Sequence, residues 1–311
     1  MNALWHRRAV RHLILGLLPL LVVGAAVIAV LADRLAETAG PLRDATARAT
    51  ATVQRTGIGD DGRDVELAWT DDTGAARLST VRAARASDVP VGARIQLRYR
   101  PGDPGRVFVG GDETSSRVAD LSFGIGLAGL LMLAIAVATA VHITRRRAAE
   151  RRPAVTLPVS YGRSRLGLTR RSWLVIEEAG RSWWVSVHWE PALTGLAPGT
   201  PARVHGRPSR DRVLAVEVDG TTIWSAGRRR STPPRGEIER DAADEGPEER
   251  PANPALGRQF RADAGLLAAA PILGLLWAYV DDGGRGSWVL ATALSAAALI
   301  WVPAVIGSDP T

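Results

Sequence analysis

Residues 13–32 read LILGLLPLLVVGAAVIAVLA, twenty positions without an acid or an arginine. A helix rises about 1.5 Å per residue and the hydrocarbon core of a bilayer is about 30 Å thick, so a run of this length is what a spanning helix needs. Three similar runs follow: LSFGIGLAGLLMLAIAVATAVHI at 121–143, AGLLAAAPILGLLWAYV at 264–280 and SWVLATALSAAALIWVPAVI at 287–306. The sequence therefore predicts a membrane α-helical protein with four transmembrane helices and, between them, two small all-β, barrel-like soluble domains. The first run also has a signal-peptide reading. Its twenty residues exceed the roughly 7 to 15 of a signal core, which favours a retained anchor.

Charge sets the orientation. The chain has no lysine, so all 39 of its Lys-plus-Arg cations are arginine. Residues 33–120 hold 13 Arg and 14 acids, whereas residues 144–262 hold 22 Arg and 14 acids. Arg7, Arg8 and Arg11 precede the first run, Arg145, Arg146 and Arg147 follow the second, and Arg258 and Arg261 precede the third. By the positive-inside rule these eight flank the membrane on its cytoplasmic side. The expected order is a cytoplasmic N-terminus over 1–12, an extracytoplasmic β-domain over 33–120, a cytoplasmic β-domain over 144–226 and a disordered acidic linker over 227–262. The C-terminus at 307–311 is again cytoplasmic, which makes a multi-pass protein of the cell membrane. Cysteine is absent, so disulfides, thiolate metal sites and thiol nucleophiles are excluded.

The segment 33–120 alternates with period two. Val65, Leu67 and Trp69 interleave with Asp64, Glu66 and Ala68, while Ile95, Leu97 and Tyr99 interleave with Arg94, Gln96, Arg98 and Arg100. That is the pattern of half-buried strands, and Asp-, Gly- and Pro-rich reversals at 59–62, 71–74 and 101–105 separate them. A Thr- and Val-rich strand at 49–56, a strand-turn-strand at 65–81 and the stretch from Val91 to Pro104, ending Tyr99-Arg100-Pro101-Gly102-Asp103-Pro104, resemble an uncharacterised bacterial membrane-protein family. The resemblance covers residues 10–143. It implies a small extracytoplasmic β-domain between two transmembrane helices, and it brings no catalytic residues.

The segment 144–226 repeats the style, with an Ala179-Gly180 hairpin between residues 173–177 and 183–189 and a Gly220 turn before 221–224. Residues 196–213 run parallel to 91–107, which raises a duplication of the two halves. On the strand from Trp183 to Trp189, Val185 and Val187 belong to the core-facing set, and Trp184, on the opposite face, is the candidate partner contact.

No motif commits to chemistry. Gly124-Ile125-Gly126-Leu127-Ala128-Gly129 has dinucleotide-binding spacing but lies inside an apolar run, where no strand feeds a helix N-terminus. Gly124, Gly126, Gly129, Ala134 and Ala138 are instead the candidate helix-packing face, small residues that let another helix approach. His188, Glu190 and His205 could form a zinc site only if the fold gathered them, and Asp281-Asp282 suits a solvated turn. The reading is of a protein with no catalytic, cofactor-binding or metal residues. It acts as a non-enzymatic binding or scaffolding component of the cell envelope, with the lipid bilayer and a protein, or a second copy of itself, as partners. Nucleic acid is not among them. An accessory subunit of a transporter or channel, and an enzyme with a discontinuous site, are the alternatives.

Overall fold

The computed structural model describes residues 7–84, 89–240, 256–281 and 284–310. It divides into two compact units, Ala25–Leu131 and Met1–Gly24 with Met132–Thr311. The chain is about 45% helical and 33% strand, with two large curled, barrel-like sheets. This corrects the expected class: a third of the chain is sheet, so the protein is a mixture of helix and sheet and not an α-helical one carrying two small β-domains.

The helices are longer than the apolar runs. α1 is Arg8–Asp44 and α2 is Glu113–Glu150, each extending well past its uncharged stretch. α3 (Leu256–Asp263) leads through a 3-10 stretch, Ala264–Ala269, into α4 (Ala270–Asp281), and α5 is Gly284–Ile306. By length and composition four helical segments could cross a membrane: Arg8–Asp44, Glu113–Glu150, Gly257–Val280 and Gly284–Ile306.

The Ala25–Leu131 unit carries β1 (Ala47–Ile58), β2 (Asp64–Thr70), β3 (Ala76–Arg82), β4 (Arg94–Arg100) and β5 (Asp103–Val109) in the order β3-β2-β1-β4-β5. β1 is long and shared: its first half pairs with β4 and its second half with β2. An isolated bridge between Ala83 and Asp112 brings the two edges together. The alternation of the sequence is met residue by residue, with Trp69, Leu97 and Tyr99 buried and Arg94, Arg98 and Arg100 exposed.

The other unit carries β6 (Ala154–Leu166), β7 (Thr169–Glu178), β8 (Arg181–Val187), β9 (Thr200–His205), β10 (Ala215–Val218) and β11 (Thr221–Trp224) in the order β11-β10-β9-β6-β7-β8. β6 is again a long shared strand, pairing with β9 over its first half and β7 over its second. The edges close where Val187 bridges Ser225. Strand for strand, β3-β2-β1-β4-β5 maps onto β8-β7-β6-β9-β10. The parallel between residues 91–107 and 196–213 falls on the equivalent strands β4 and β9.

Two hairpins follow from their turn residues. Ala179-Gly180 and Asp219-Gly220 both sit at positive φ, 51° with 73° and 48° with 73°. This is the conformation that lets a two-residue turn follow the twist of its strands, and glycine reaches it without steric cost. β6 escapes a pattern reading because Pro158 and Gly162 interrupt it, and neither residue announces a strand interior.

Part of the expected linker over 227–262 is a strand. β12 (Glu237–Arg240) pairs with β6 from Arg165 to Gly162. Residues 241–255, the rest of its acidic tract, lie outside the described residues, as does Asp282.

Candidate functional site

Functional residues gather at the closing seam of the second barrel. Along α1, Arg8, Ala9, Val10, His12 and Leu13 are buried, whereas Arg11 is exposed. Ala9 and Val10 join Ala149 of α2 with Ala215 and Trp224 of the barrel in one apolar cluster. Apolar contact thus seats two helix ends on the barrel, and buried polar groups specify how.

Arg146 is 5% exposed. Its guanidinium donates to the carbonyls of Ser225 and Ala226, just past β11, and to His142 of its own helix. Glu150, one turn on, accepts from the Trp224 indole and pairs with Arg7. The ring nitrogens of His142 and His188 meet at 3.2 Å, Nε2 to Nε2. One must donate and the other accept, which two neutral imidazoles can do and two imidazoliums cannot. Burial, with His142, Arg146 and His12 adding to it, pushes His188 well below the usual imidazole range. Its Nδ1 and the His12 Nε2 are buried without a hydrogen-bond partner.

A second polar line ties in the C-terminal segment. Asp309 accepts from the Tyr161 hydroxyl at 2.6 Å and the Ser172 hydroxyl at 2.8 Å. Burial and this carboxylate raise the Tyr161 phenol. Gln259 of α3 donates to the Ser308 carbonyl, and Ser308 donates to Asp263. Arg8 reaches the Gln259 side-chain oxygen and lies 4.6 Å from the Trp189 ring centroid. Gly307, at φ 76°, is where this segment crosses β8: a Cβ there would come within 2.6 Å of the Val187 carbonyl oxygen. Glu190 lines the rim beside Arg8. Burial pushes its carboxyl up to about 7, against the pull of Arg8.

Several expected site residues are placed differently. Trp184, the candidate partner contact, is 3% exposed. From Trp183 to Val187 its strand is buried on both faces, and Arg230 takes its outer edge through two backbone hydrogen bonds. Arg8 and Arg146, expected to flank a membrane in solvent, are buried against the barrel, while Arg11, Arg145, Arg147, Arg258 and Arg261 are exposed and Arg7 is partly buried. Within the single chain the expected packing face of α2 is largely open. Gly126, Ala134 and Ala138 are exposed, and a Cβ added at Gly126 or Gly129 would meet nothing within 4 Å. Of that set only Gly124 has a neighbour at that range, Leu31 at 3.7 Å. The less exposed face is Gly124, Ile125, Ala128, Met132, Ile135 and Thr139, at helical three- and four-residue spacing.

The glycines at which helices do approach are Gly16, Gly24 and Gly274. An added Cβ would fall 2.8 Å from Ala304 Cβ, 2.5 Å from Met132 Sδ and 2.1 Å from Thr292 Oγ1 respectively. Gly16 and Gly24 share one apolar run eight residues apart, and Gly274 lies in another, so none belongs to a close-spaced glycine motif like that at 124–129.

His188 and Glu190 lie at the seam, whereas His205 is bonded to the Arg152 carbonyl. Among the described residues no group of three or more His, Asp or Glu is placed to hold a metal ion. The arrangement can lock helix ends to a barrel and respond to protons. Its carboxylates and guanidinium are engaged in structural bonds.

No family model, curated protein or solved structure matches the chain.

Proposed function

We propose that this chain is a multi-pass protein of the cell membrane that works by binding and scaffolding, not by catalysis. The observation that carries the reading is the outward surface of the four helical segments. Phe123, Leu130 and Leu133 of α2, Ile272, Trp277, Tyr279 and Val280 of α4, and Trp288 and Val289 of α5 are exposed, Tyr279 at 87%. Soluble proteins rarely leave so many large apolar side chains on successive helices open to water, and hydrocarbon would cover them at no cost. Trp277, Tyr279 and Trp288 near helix ends suit an interfacial aromatic belt. The arginine asymmetry orients the helices with both termini and residues 144–262 cytoplasmic and residues 33–120 outside. The helix-strand-helix order of residues 10–143 fits the resemblance to the two-helix membrane family. In this reading the buried junction is structural, holding the second barrel rigidly on its helix ends so that the barrel can present a surface to a protein partner or a second copy.

Single cysteines test the topology, since the chain has none of its own. Thr80→Cys, exposed on β3, should react with a membrane-impermeant maleimide on intact cells, and Ser209→Cys only after lysis. The reverse order removes the topology. Crosslinking from each face then tests scaffolding: discrete adducts larger than the chain are expected, and recovery of the chain alone would sink it.

A further inference from the structure

A cavity of about 340 Å³ opens at the rim of the second barrel, lined by Arg7, Arg8 and Arg11 of the first helical turns, Glu190, and Thr221 and Thr222 of β11. Three guanidiniums face one another here. Arg7 is taken by Glu150, and Arg8 is buried beside Trp189, Gln259 and Glu190. Arg11 is exposed and makes no ion pair among the described residues. On β11 Thr222 shares the outward face of Trp224, whereas Thr221 shares the face of the core residue Ile223, and among the described residues the half-buried Thr222 hydroxyl makes no hydrogen bond. With Glu150 and Glu190 both ionised, the three arginines leave one positive charge uncompensated, beside the Thr222 hydroxyl. Guanidinium forks and hydroxyls are the donor set that phosphate oxygens accept, and the volume suits a phosphate with a glycerol-sized substituent.

We propose that this cavity binds a phosphate-bearing anion, with the headgroup of an anionic phospholipid as its natural source. Arg11 stands two residues before the apolar run that opens at Leu13, so in a membrane the cavity lies at headgroup depth on the cytoplasmic side. This assignment of depth rests on the membrane reading above; the phosphate chemistry does not. Arg11 supplies the free charge, Thr222 orients the oxygens, and Arg8, fixed by its own bonds, forms a preorganised wall.

The test uses the full chain purified in a zwitterionic detergent, with dihexanoyl-phosphatidylglycerol, dihexanoyl-phosphatidylcholine and inorganic phosphate as probes and thermal stabilisation as readout. Phosphatidylglycerol should half-saturate at a concentration about tenfold or more below phosphatidylcholine. Arg11→Ala should weaken phosphatidylglycerol about fivefold, and Arg11→Lys should recover most of that loss. Arg258→Ala, an exposed arginine away from the cavity, should change nothing. If inorganic phosphate matches phosphatidylglycerol and displaces it, the site stands and its source is a soluble phosphate. Equal binding of the two lipids, or full phosphatidylglycerol affinity in both Arg11→Ala and Thr222→Val, overturns the proposal. Cysteine labelling in the wrong order together with intact phosphate binding would remove the membrane reading and leave the site.

Discussion

The two barrels share a strand order and differ in how they close. In the first, a bridge from Ala83 to Asp112 and a hydrogen bond from Ala84 N–H to the Gly111 carbonyl join the edges, and the core is apolar, built on Leu67, Trp69, Leu97 and Tyr99. Its best-satisfied polar group sits at the surface end of a hairpin: the Asp71 carboxylate accepts from Thr73, Ala75 and Arg77. In the second, the closing strands carry His188 and Trp224 into contact with helix ends, and the seam is filled by buried guanidinium, imidazole and carboxyl groups. One topology thus serves as a self-sufficient domain in one place and as a socket for helices in the other. Burial of apolar area is enough to close a barrel, whereas mating it with helices in one register calls for directional bonds.

The largest loss is expected from the guanidinium that locks helix to barrel. Arg146→Ala strands the Ser225 and Ala226 carbonyls away from any donor and should cost about 3 to 5 kcal/mol. Thermal unfolding of the purified chain, followed through the tryptophans concentrated in this barrel, would record it. A loss near that of a surface arginine would mean the seam is held by apolar contact alone.

The first barrel should be vulnerable through its core and not through its arginines. Leu97→Ala should cost about 2 to 5 kcal/mol and Arg98→Ala, one residue along the same strand, under about 0.5. Pulse proteolysis with Thr80→Cys as a reporter separates this barrel from the other. Equal losses would deny the half-buried character of β4.

Helix packing discriminates next. Gly24→Leu drives a side chain into Met132 and should destabilise by about 1 to 3 kcal/mol, while Gly126→Leu enters open space and should leave the melting temperature unchanged. A change of oligomeric state in Gly126→Leu would show a second copy on that face.

The smallest effect is in pH. His188 titrates below its unfolded value of 6.5. Its contribution is therefore present above about pH 6.5 and is lost as pH falls, by up to about 1.4 kcal/mol per unit. Glu190 titrates above its unfolded 4.5, at about 7, so its contribution is full below 4.5 and lost as pH rises through 7. The two oppose each other between these limits. As pH falls from 6.5 to 4.5 the Glu190 gain offsets the His188 loss, so Glu190→Gln should make the chain lose more stability over this range than the parent does. Asp71, held down to about 2 chiefly by the Thr73 hydroxyl and Arg77 against its burial, keeps its contribution to the first barrel until pH falls from 3.8 through about 2. Acid unfolding of the first barrel before the second would reverse the contrast.

Local pattern carried a defined part of this architecture. Uncharged runs mark where α1, α2 and α5 lie, and period-two alternation places Leu97 and Tyr99 inside and Arg98 outside, because a helix or a strand reports its environment at fixed spacing. The strands β6 and β12 stayed hidden, since Pro158, Gly162 and an acidic tract do not look like strand. The burial of Trp184, Arg8 and Arg146 is not legible locally for a related reason: segments distant in sequence enclose each of them. Gly24 and Gly274 matter only because Met132 and Thr292 arrive opposite them. Local sequence fixes most of the elements and the polarity of their faces. Which faces meet, and therefore which polar groups are buried and paired, only the tertiary structure decided, because burial belongs to both partners of a contact and a single strand or helix records only its own side.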